Sequence, residues 1–300
     1  MIRILAADGM EKSAIDKLRG TGYEVVEQYY EPDKLGGALR DFDAVVVRSK
    51  TKIRETHIDE ALGSGRLKLI VRGGVGVDNI DVDYARSKGI QVNNTPMASS
   101  ASVAELTIGH MICLARYIHI ANVTMREGKW EKNKYEGVEL AGKTLGLIGC
   151  GQIGRLTADK AAALGMSIVY TNRSGPKAEI PYRYVSMDEL LGISDFISLH
   201  MPLAGGAVIT SAEIAKMKNG VYIVNTSRGA LIDDDDLIAG LDSGRIAGAA
   251  LDVFVEEPVT NKKIITHPKI SLTPHVGGST LEAQERIGEE VVSIIREKFE

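Results

Sequence analysis

The chain has 300 residues, of which 44% are hydrophobic and 25% are charged, and its formal net charge is -4. These values are ordinary for a globular protein and exclude no enzyme class, but they give no indication of a nucleic-acid partner. No apolar run approaches the roughly 20 residues that cross a bilayer, so no membrane partner is expected. The two cysteines, Cys113 and Cys150, lie in apolar runs, which favours reduced thiols and a cytoplasmic location.

The first third of the chain alternates short β-branched runs with helical patterns, which predicts parallel βαβ units. Strands are expected at residues 2–7, 24–27, 44–47, 69–71 and 91–93. A series of this kind is typical of a small flavodoxin-like sheet.

A long helix is predicted next, from Ser102 to about Met125, with Ser102 as its N-cap and Glu105 at the capping-box position. The polar and aromatic segment 128–140 is predicted to be a surface loop. A second α/β series begins at Lys143 and contains the six strands expected of a dinucleotide-binding fold. These strands are predicted at residues 144–148, 167–170, 196–199, 221–225, 248–251 and 270–272.

A GxGxxG motif at residues 149–154 follows the first strand of this second series and opens a helical pattern. Its glycines permit a tight turn and a close approach to a pyrophosphate, to which the helix N-terminus offers free N–H groups. This context predicts dinucleotide binding rather than a structural turn. The motif residues expected to contact the cofactor are Gly149, Gly151, Gln152, Ile153 and Gly154.

The position that selects between NAD and NADP is occupied by Asn172, followed by Arg173 and Ser174. NAD sites usually place an acid about 20 residues after the motif, on the ribose hydroxyls. Here no carboxylate repels a 2′-phosphate, Arg173 can pair with that phosphate and Ser174 can donate to it. NADP is therefore favoured, and the alternative is NAD with Arg173 stacked on the adenine.

Three later segments, 225–233, 251–258 and 273–280, place polar residues at predicted strand ends. Ligands bind outside the carboxyl ends of parallel strands. An arginine there could hold a carboxylate in a bidentate fork, and a histidine could take a hydroxyl proton as hydride leaves for a nicotinamide. A neighbouring carboxylate would stabilise the imidazolium. This chemistry suits the oxidation of a hydroxy acid. The remaining histidines show no metal-ligand grouping, so no metal is expected.

The chain resembles the D-isomer-specific 2-hydroxyacid dehydrogenases, and within them the D-3-phosphoglycerate dehydrogenases. The resemblance runs through nearly the whole chain, in VVVRSKTKI, RGGVGVDNID, GKWEK, SDFISLHMPL, NTSRGALID, GAALDVFVEEP and TPHVGGST. It implies that Arg228 orients the substrate and that His275 is the acid/base. Glu257, which directly precedes Pro258, would tune the histidine, and the adjacent Glu256 is the alternative.

The resemblance also implies the remaining ligand contacts. Asp252 would hold the carboxamide of the nicotinamide. The other predicted cofactor contacts are His200 (alternatively structural, at a strand end), Pro202, Thr226 and Gly277. The substrate carboxylate would lie on the backbone N–H groups of Gly74, Val75 and Gly76, and Arg48 and Arg72 would bind a phosphate.

These contacts favour 3-phospho-D-glycerate as the substrate, oxidised to 3-phosphohydroxypyruvate. The residues at 172–174 favour an alternative, the NADPH-dependent reduction of glyoxylate or hydroxypyruvate. A dinucleotide-sensing co-repressor that binds partner proteins is a remote alternative of a different class.

The resemblance further implies two doubly wound parallel-sheet domains. A discontinuous, flavodoxin-like substrate domain would comprise residues 1–96 and 280–300, and a Rossmann domain would comprise residues 97–279. The helix after Ser102 and the loop around Trp130 would build a homodimer. We expect a short form of the enzyme, without the regulatory domain of longer members.

Overall fold

The computed structural model describes residues 1–300, which form two compact units. The first unit comprises Met1–Ser99 and Gly278–Glu300, and the second comprises Ser100–Gly277. Each unit is a parallel sheet with helices on its faces, which confirms the predicted α/β class. No helix has the length and apolar character needed to cross a membrane.

The first unit contains a five-stranded sheet in the order β2-β1-β3-β4-β5, which is the strand order of a flavodoxin-like sheet. All neighbouring strands are parallel, so their carboxyl ends lie along one edge. The strands are β1 (Arg3–Ala6), β2 (Glu24–Glu27), β3 (Ala44–Val47), β4 (Leu69–Arg72) and β5 (Gln91–Asn94).

Helices cover both faces of this sheet, because its strands are apolar on both sides. They are α1 (Lys12–Gly20), α2 (Pro32–Leu39), α3 (Glu55–Ala61), α4 (Val82–Ser87) and, at the end of the chain, α12 (Leu281–Phe299). On one face α12 crosses α1 closely at Gly288, where a Cβ would lie only 2.8 Å from the Cβ of Ala14. The apolar side of α12 thereby completes the core of the first unit.

The second unit contains a seven-stranded parallel sheet in the order β12-β11-β10-β9-β6-β7-β8. Six of its strands lie where the sequence predicts them. The additional strand, β8, has only two residues, too few for a recognisable hydrophobic period. The strands are β6 (Thr144–Ile148), β7 (Ser167–Thr171), β8 (Arg183–Tyr184), β9 (Phe196–Leu199), β10 (Val221–Asn225), β11 (Ile246–Leu251) and β12 (Ile270–Leu272).

The prediction of one long helix from Ser102 to about Met125 is wrong, because two helices occupy that segment. They are α5 (Ser100–Ala115) and α6 (Ile118–Arg126), separated by Tyr117 in a left-handed conformation with φ 54°. The carbonyl of Ala115 accepts from the Val138 amide at 2.9 Å instead of continuing the helical ladder. Ser102 is a buried position inside α5 rather than its N-cap.

The other helices of the second unit pack on the two faces of the sheet, above cores made largely of aliphatic side chains. They are α7 (Gln152–Ala163), α8 (Met187–Ile193), α9 (Ser211–Lys216), α10 (Asp234–Asp242) and α11 (Lys262–Thr266). Within the predicted surface loop 128–140, a short 3-10 turn spans Lys132–Lys134 and Trp130 is 79% exposed.

Candidate active site

The GxGxxG motif forms a tight turn between β6 and α7. Gly149 has φ 91°, and a Cβ on it would lie 2.8 Å from the carbonyl carbon of His200, so only glycine fits there. A Cβ at Gly151, in contrast, would meet no protein atom within 4 Å. The protein's own packing therefore does not require glycine at 151, and the bare backbone leaves room for a ligand.

The N-terminus of α7 has no side-chain cap, because its N-cap residue is Gly151. The first N–H groups of this 12-residue helix, those of Gln152, Ile153 and Gly154, have no partner within the helix. Uncapped amides at a helix N-terminus are suited to a pyrophosphate, which also gains from the helix dipole.

Asn172 lies at the end of β7 and folds against the glycine-rich turn. Its Oδ1 accepts from the Cys150 amide at 2.7 Å, while its Nδ2 is buried without a hydrogen-bond partner. Residues 172–175 form a turn, closed by the Gly175 amide donating to the Asn172 carbonyl at 3.0 Å. Arg173 and Ser174 are exposed at the centre of this turn, and neither side chain has a partner within the chain.

His200 lies beneath the glycine-rich turn, where a Cβ on Gly154 would be 3.5 Å from the His200 Cβ. Its Nε2 bonds to Ser198 Oγ at 2.9 Å, and its Nδ1 is buried without a partner. Burial lowers the pKa of His200 to about 4, so the ring is neutral at ordinary pH. The orphaned atoms of Asn172 and His200, next to an uncapped helix, fit a bound dinucleotide.

Thr226 and Pro202 are two further residues that the sequence analysis predicts to contact the cofactor. The Thr226 hydroxyl shares a 2.9 Å hydrogen bond with Thr107 Oγ1, which itself donates to the Val103 carbonyl. The proton in the shared bond is therefore that of Thr226, whose oxygen keeps only acceptor capacity. Pro202 is exposed in the loop after β9.

A buried carboxylate, Asp252, holds the loop that follows β12. Its Oδ1 accepts from Thr273 Oγ1 at 2.6 Å and from the Val276 amide at 2.8 Å, and its Oδ2 accepts from the Gly277 amide at 2.9 Å. Between these anchor points His275 takes a left-handed backbone conformation with φ 53°, which is uncommon for a residue other than glycine. The predicted contacts Asp252 and Gly277 thus bond to each other.

His275 is paired with Glu257, through a 2.7 Å hydrogen bond between His275 Nδ1 and Glu257 Oε2. This leaves Nε2 as the ring nitrogen available to a ligand. Glu256 is directed elsewhere and accepts from Thr260 Oγ1 at 2.6 Å. The geometry therefore selects Glu257 over Glu256 as the neighbour of the histidine.

The carboxylate of Glu257 stays ionised at neutral pH. Burial is the largest single influence and would raise its pKa, but several others outweigh it. The hydrogen bond and charge of His275, the Phe254 amide at 3.1 Å and the charge of Arg228 together lower the pKa of Glu257 below its ordinary value. An ionised partner on Nδ1 stabilises the protonated imidazole.

Arg228 is brought to this pair by the glycine that follows it. A Cβ on Gly229 would overlap the backbone of Phe254 and Val255, so only glycine lets the two segments meet. The buried Asn225 shapes the turn, because its Nδ2 donates to the Arg228 carbonyl at 2.8 Å and its Oδ1 accepts from the Ser227 amide at 3.0 Å. The three predicted catalytic residues, Arg228, Glu257 and His275, therefore lie in one group.

In the first unit, the loop after β4 presents backbone amides. The Gly74 amide donates to the Arg72 carbonyl at 2.9 Å, whereas those of Val75 and Gly76 make no hydrogen bond within the chain. Gly74 has φ 148°, and a Cβ on it would overlap the guanidinium of Arg72. Two of the three amides predicted to bind the substrate carboxylate, those of Val75 and Gly76, are therefore available to a ligand. They lie near the Arg72 guanidinium.

The loop after β3 carries Arg48 and is fixed by Asp8 and Asn79. Asp8 Oδ2 accepts from the Arg48 amide at 2.7 Å and from the Thr51 amide at 3.0 Å. Asn79 Nδ2 donates to the carbonyls of the same two residues, each at 2.7 Å. The Arg48 guanidinium itself has no hydrogen bond or ion pair.

Sequence reasoning missed the residues that hold these loops, namely Asp8, Asn79, His110, Asn225 and Thr273. Their signal is weak, because each is a polar residue of a kind common in loops, and all but Asn225 bond to partners distant in the chain. His110 is an example: burial lowers its pKa, and its neutral ring bonds to Thr273 Oγ1 at 3.0 Å across 163 residues. The roles of these residues are visible only in the hydrogen bonds of the folded chain.

An uncapped helix over a parallel sheet, with a histidine–carboxylate pair and an arginine in the loops that follow its strands, suits an oxidoreductase that uses a nicotinamide dinucleotide. Residues 108–277 match the family model described as "D-isomer specific 2-hydroxyacid dehydrogenase, NAD binding domain". The chain belongs to this family, and it is an enzyme that acts on a CH–OH donor with NAD or NADP.

Several relatives resemble the chain over its full length. A hydroxypyruvate reductase of Thermotoga maritima is 45% identical, over 98% of this chain and 97% of its own. A D-3-phosphoglycerate dehydrogenase of Methanocaldococcus jannaschii is 42% identical over 99% of this chain, which spans only 57% of that relative. The solved structure of a glyoxylate reductase from Paecilomyes thermophila has a TM-score of 0.90 at 33% identity, and the match covers 100% of this chain and 95% of that one.

Proposed function

We propose that the enzyme interconverts a three-carbon D-2-hydroxy acid and its 2-keto acid, with Arg228, Glu257 and His275 as its catalytic residues. The observation that carries this proposal is the 2.7 Å bond between His275 and an ionised Glu257, beside Arg228. When bound, a nicotinamide ring supplies the hydride acceptor or donor for C2 of the acid.

The three side chains divide the remaining work. In oxidation, the Nε2 of His275 takes the hydroxyl proton, and in reduction it returns a proton to the carbonyl oxygen. Glu257 stabilises the imidazolium that carries this proton. Arg228 offers a planar fork to the substrate carboxylate and favours the negative charge that develops on oxygen.

The preferred substrate pair is 3-phospho-D-glycerate and 3-phosphohydroxypyruvate. Arg48 supports it, because its guanidinium has no partner in the chain and could bind a phosphate together with Arg72. The amides of Val75 and Gly76 would receive the carboxylate. Hydroxypyruvate, which lacks only the phosphate, is the second candidate, supported by the reductase that is 45% identical over nearly its whole length.

NADP is the preferred cofactor in this proposal. Arg173 is an exposed cation without a partner at the centre of the turn after β7, and Asn172 places no charge beside it. A 2′-phosphate would gain from Arg173 and meet no repelling carboxylate.

The enzyme is further proposed to be a cytoplasmic homodimer. Both cysteines are free thiols, which supports a reducing compartment. Ile118, Val123 and Met125 of α6 and Trp130 after it are between 49% and 79% exposed. Ile118 and Met125 also line an open pocket of about 510 Å³, an apolar surface that a second copy of the chain would cover.

The chemical proposal is tested by initial rates for 3-phosphohydroxypyruvate, hydroxypyruvate and glyoxylate, with wild type and His275→Ala. Loss of the acid/base should lower kcat by roughly 10²- to 10⁴-fold. The dissociation constant of the cofactor should change little, because His275 is absent from the glycine-rich turn. Near-normal turnover by the variant would refute the role of His275.

Glu257→Gln should shift the pH dependence of kcat/KM. The amide keeps the shape of the side chain but removes the charge that favours imidazolium, so the midpoint should move to lower pH. Keto-acid reduction, which needs the protonated ring, should then fail at a lower pH than in wild type. Glu256→Gln is the matched control, and an equal shift in that variant would contradict the assignment.

Asn172→Asp should weaken NADPH binding relative to NADH binding. The aspartate can still accept from the Cys150 amide, so the fold of the turn is kept while a repelling charge is added. The ratio of the two dissociation constants should change by roughly 10- to 150-fold, the effect of one charged hydrogen bond, and Arg173→Ala should change it in the same direction. Asn219→Asp, at the opposite edge of the sheet, is the control. Unaltered ratios in both test variants would leave NAD as the cofactor.

Light scattering at micromolar concentration should give a mass twice the 32.3 kDa of one chain. Met125→Glu should lower this mass by placing a charge on the apolar surface of α6. Leu164→Glu, at an exposed apolar position outside that surface, should not. A monomeric wild type would contradict the dimer.

A further inference from the structure

One face of α5 contacts the loop after β12, the loop that carries His275. Near the start of the helix, Val103 packs on Gly277, where a Cβ on the glycine would lie 3.3 Å from Val103 Cγ2. Two turns further along, His110 reaches Thr273. Residues seven apart lie on the same face of a helix, so α5 meets this loop on both sides of His275.

The direction of the hydrogen bond between His110 and Thr273 follows from the partner of Thr273. Its Oγ1 lies 2.6 Å from Asp252 Oδ1, and a carboxylate oxygen can only accept, so the threonine proton is used in that bond. The 3.0 Å bond from Thr273 Oγ1 to His110 Nε2 therefore needs the ring nitrogen as its donor. The structure thus contains a chain of donors that runs from His110 through Thr273 to Asp252.

The imidazole of His110 is suited to this role because it is neutral. Its side chain is buried, and burial lowers its pKa, so the ring carries one N–H, which is the one on Nε2. The other nitrogen, Nδ1, lies 3.5 Å from Ser271 Oγ, a hydroxyl that can donate to it. The ring therefore strengthens the donor to Asp252 without placing a positive charge beside the carboxylate.

The end of this chain holds the residues on both sides of His275. Asp252 Oδ1 accepts from Thr273, two residues before the histidine, and from the Val276 amide directly after it. A hydroxyl that accepts a hydrogen bond is polarised and donates more strongly, so the N–H of His110 reinforces the bond between Thr273 and Asp252.

We infer that His110 is a positioning residue for His275: its Nε2–H, acting through Thr273 and Asp252, fixes the loop on which the acid/base lies. This inference rests on the proposed function, since it takes His275 to be the acid/base. His110 itself is buried beneath the loop and does not touch the substrate.

The test compares kcat for keto-acid reduction in wild type, His110→Gln, His110→Met and His110→Phe. Glutamine keeps an N–H near the position of Nε2, methionine has a similar length without a donor, and phenylalanine keeps a flat ring without a donor. The two variants without a donor should lose up to roughly 100-fold in kcat, the effect of moving a catalytic group by about 1 Å. His110→Gln should recover most of this loss, and equal kcat values in the glutamine variant and the two others would overturn the inference.

His267→Met is the matched control. His267 lies before β12, at its amino end, where its Nε2 is 3.3 Å from Asp242 Oδ1. The same replacement there removes an imidazole from the opposite end of the strand and should leave kcat unchanged. A loss equal to that of His110→Met would contradict a specific role for His110.

A double-mutant cycle with Thr273→Val tests whether the effect passes through Thr273. This change removes the hydroxyl and leaves the N–H of His110 without its acceptor. Adding His110→Met removes that unpaired donor, so the double variant should be no slower than Thr273→Val alone. Independent residues would multiply their losses in kcat, and that result would overturn the inference.

Hydrogen exchange separates this inference from the proposed chemistry. The amides of Val276 and Gly277 both donate to Asp252. In His110→Met, but not in His110→Gln, a peptide that contains them should exchange faster by about 2- to 12-fold, the range for one hydrogen bond between neutral groups. Unchanged exchange would refute the positioning role even if His275 is catalytic. Near-normal turnover of His275→Ala would instead refute the chemistry and leave this result intact.

Discussion

The buried carboxylate of Asp252 is the constraint on which the arrangement of the second unit depends. It lies directly after β11 and accepts three hydrogen bonds from Thr273, Val276 and Gly277. A buried anion must be matched by donors, so the loop after β12 can adopt only a path that delivers them. That path places His275 in a left-handed conformation and turns its ring toward Glu257. The position of the histidine is thus a consequence of how one buried charge is satisfied.

Several of the proposed ligand contacts share a second property. Each has an N–H group that makes no hydrogen bond within the chain. The loop after β4 uses the Gly74 amide internally but not those of Val75 and Gly76. Asn172 uses its carbonyl oxygen to hold the glycine-rich turn and leaves its Nδ2 unpaired. Buried polar groups are normally paired in a folded protein, so the unpaired Asn172 Nδ2 beside the glycine-rich turn indicates where a ligand completes the second unit.

Local patterns carried most of what could be predicted from the sequence. The strands, the glycine-rich turn and the segment of Arg228 are each encoded within about ten consecutive residues, where period and motif are visible. What the patterns left wrong or open depends on hydrogen bonds that form only in the folded chain. The break after Ala115 depends on the amide of Val138, which donates to the Ala115 carbonyl. Spacing alone left Glu256 as an alternative to Glu257. Their hydrogen bonds distinguish them, because Glu256 accepts from Thr260 and Glu257 bonds to His275.

The order in which the chain passes through its two units has a consequence for how it folds during synthesis. The second unit is continuous, from Ser100 to Gly277, so all of its core residues emerge from the ribosome in one uninterrupted stretch of chain. The first unit begins earlier but needs α12, whose Ile287, Val291 and Ile295 cover the face that β1, β3 and β4 share with α1. Domains generally fold as units once their residues have emerged. The nascent chain therefore leaves this apolar sheet face uncovered by α12 for as long as the ribosome takes to make the whole second unit.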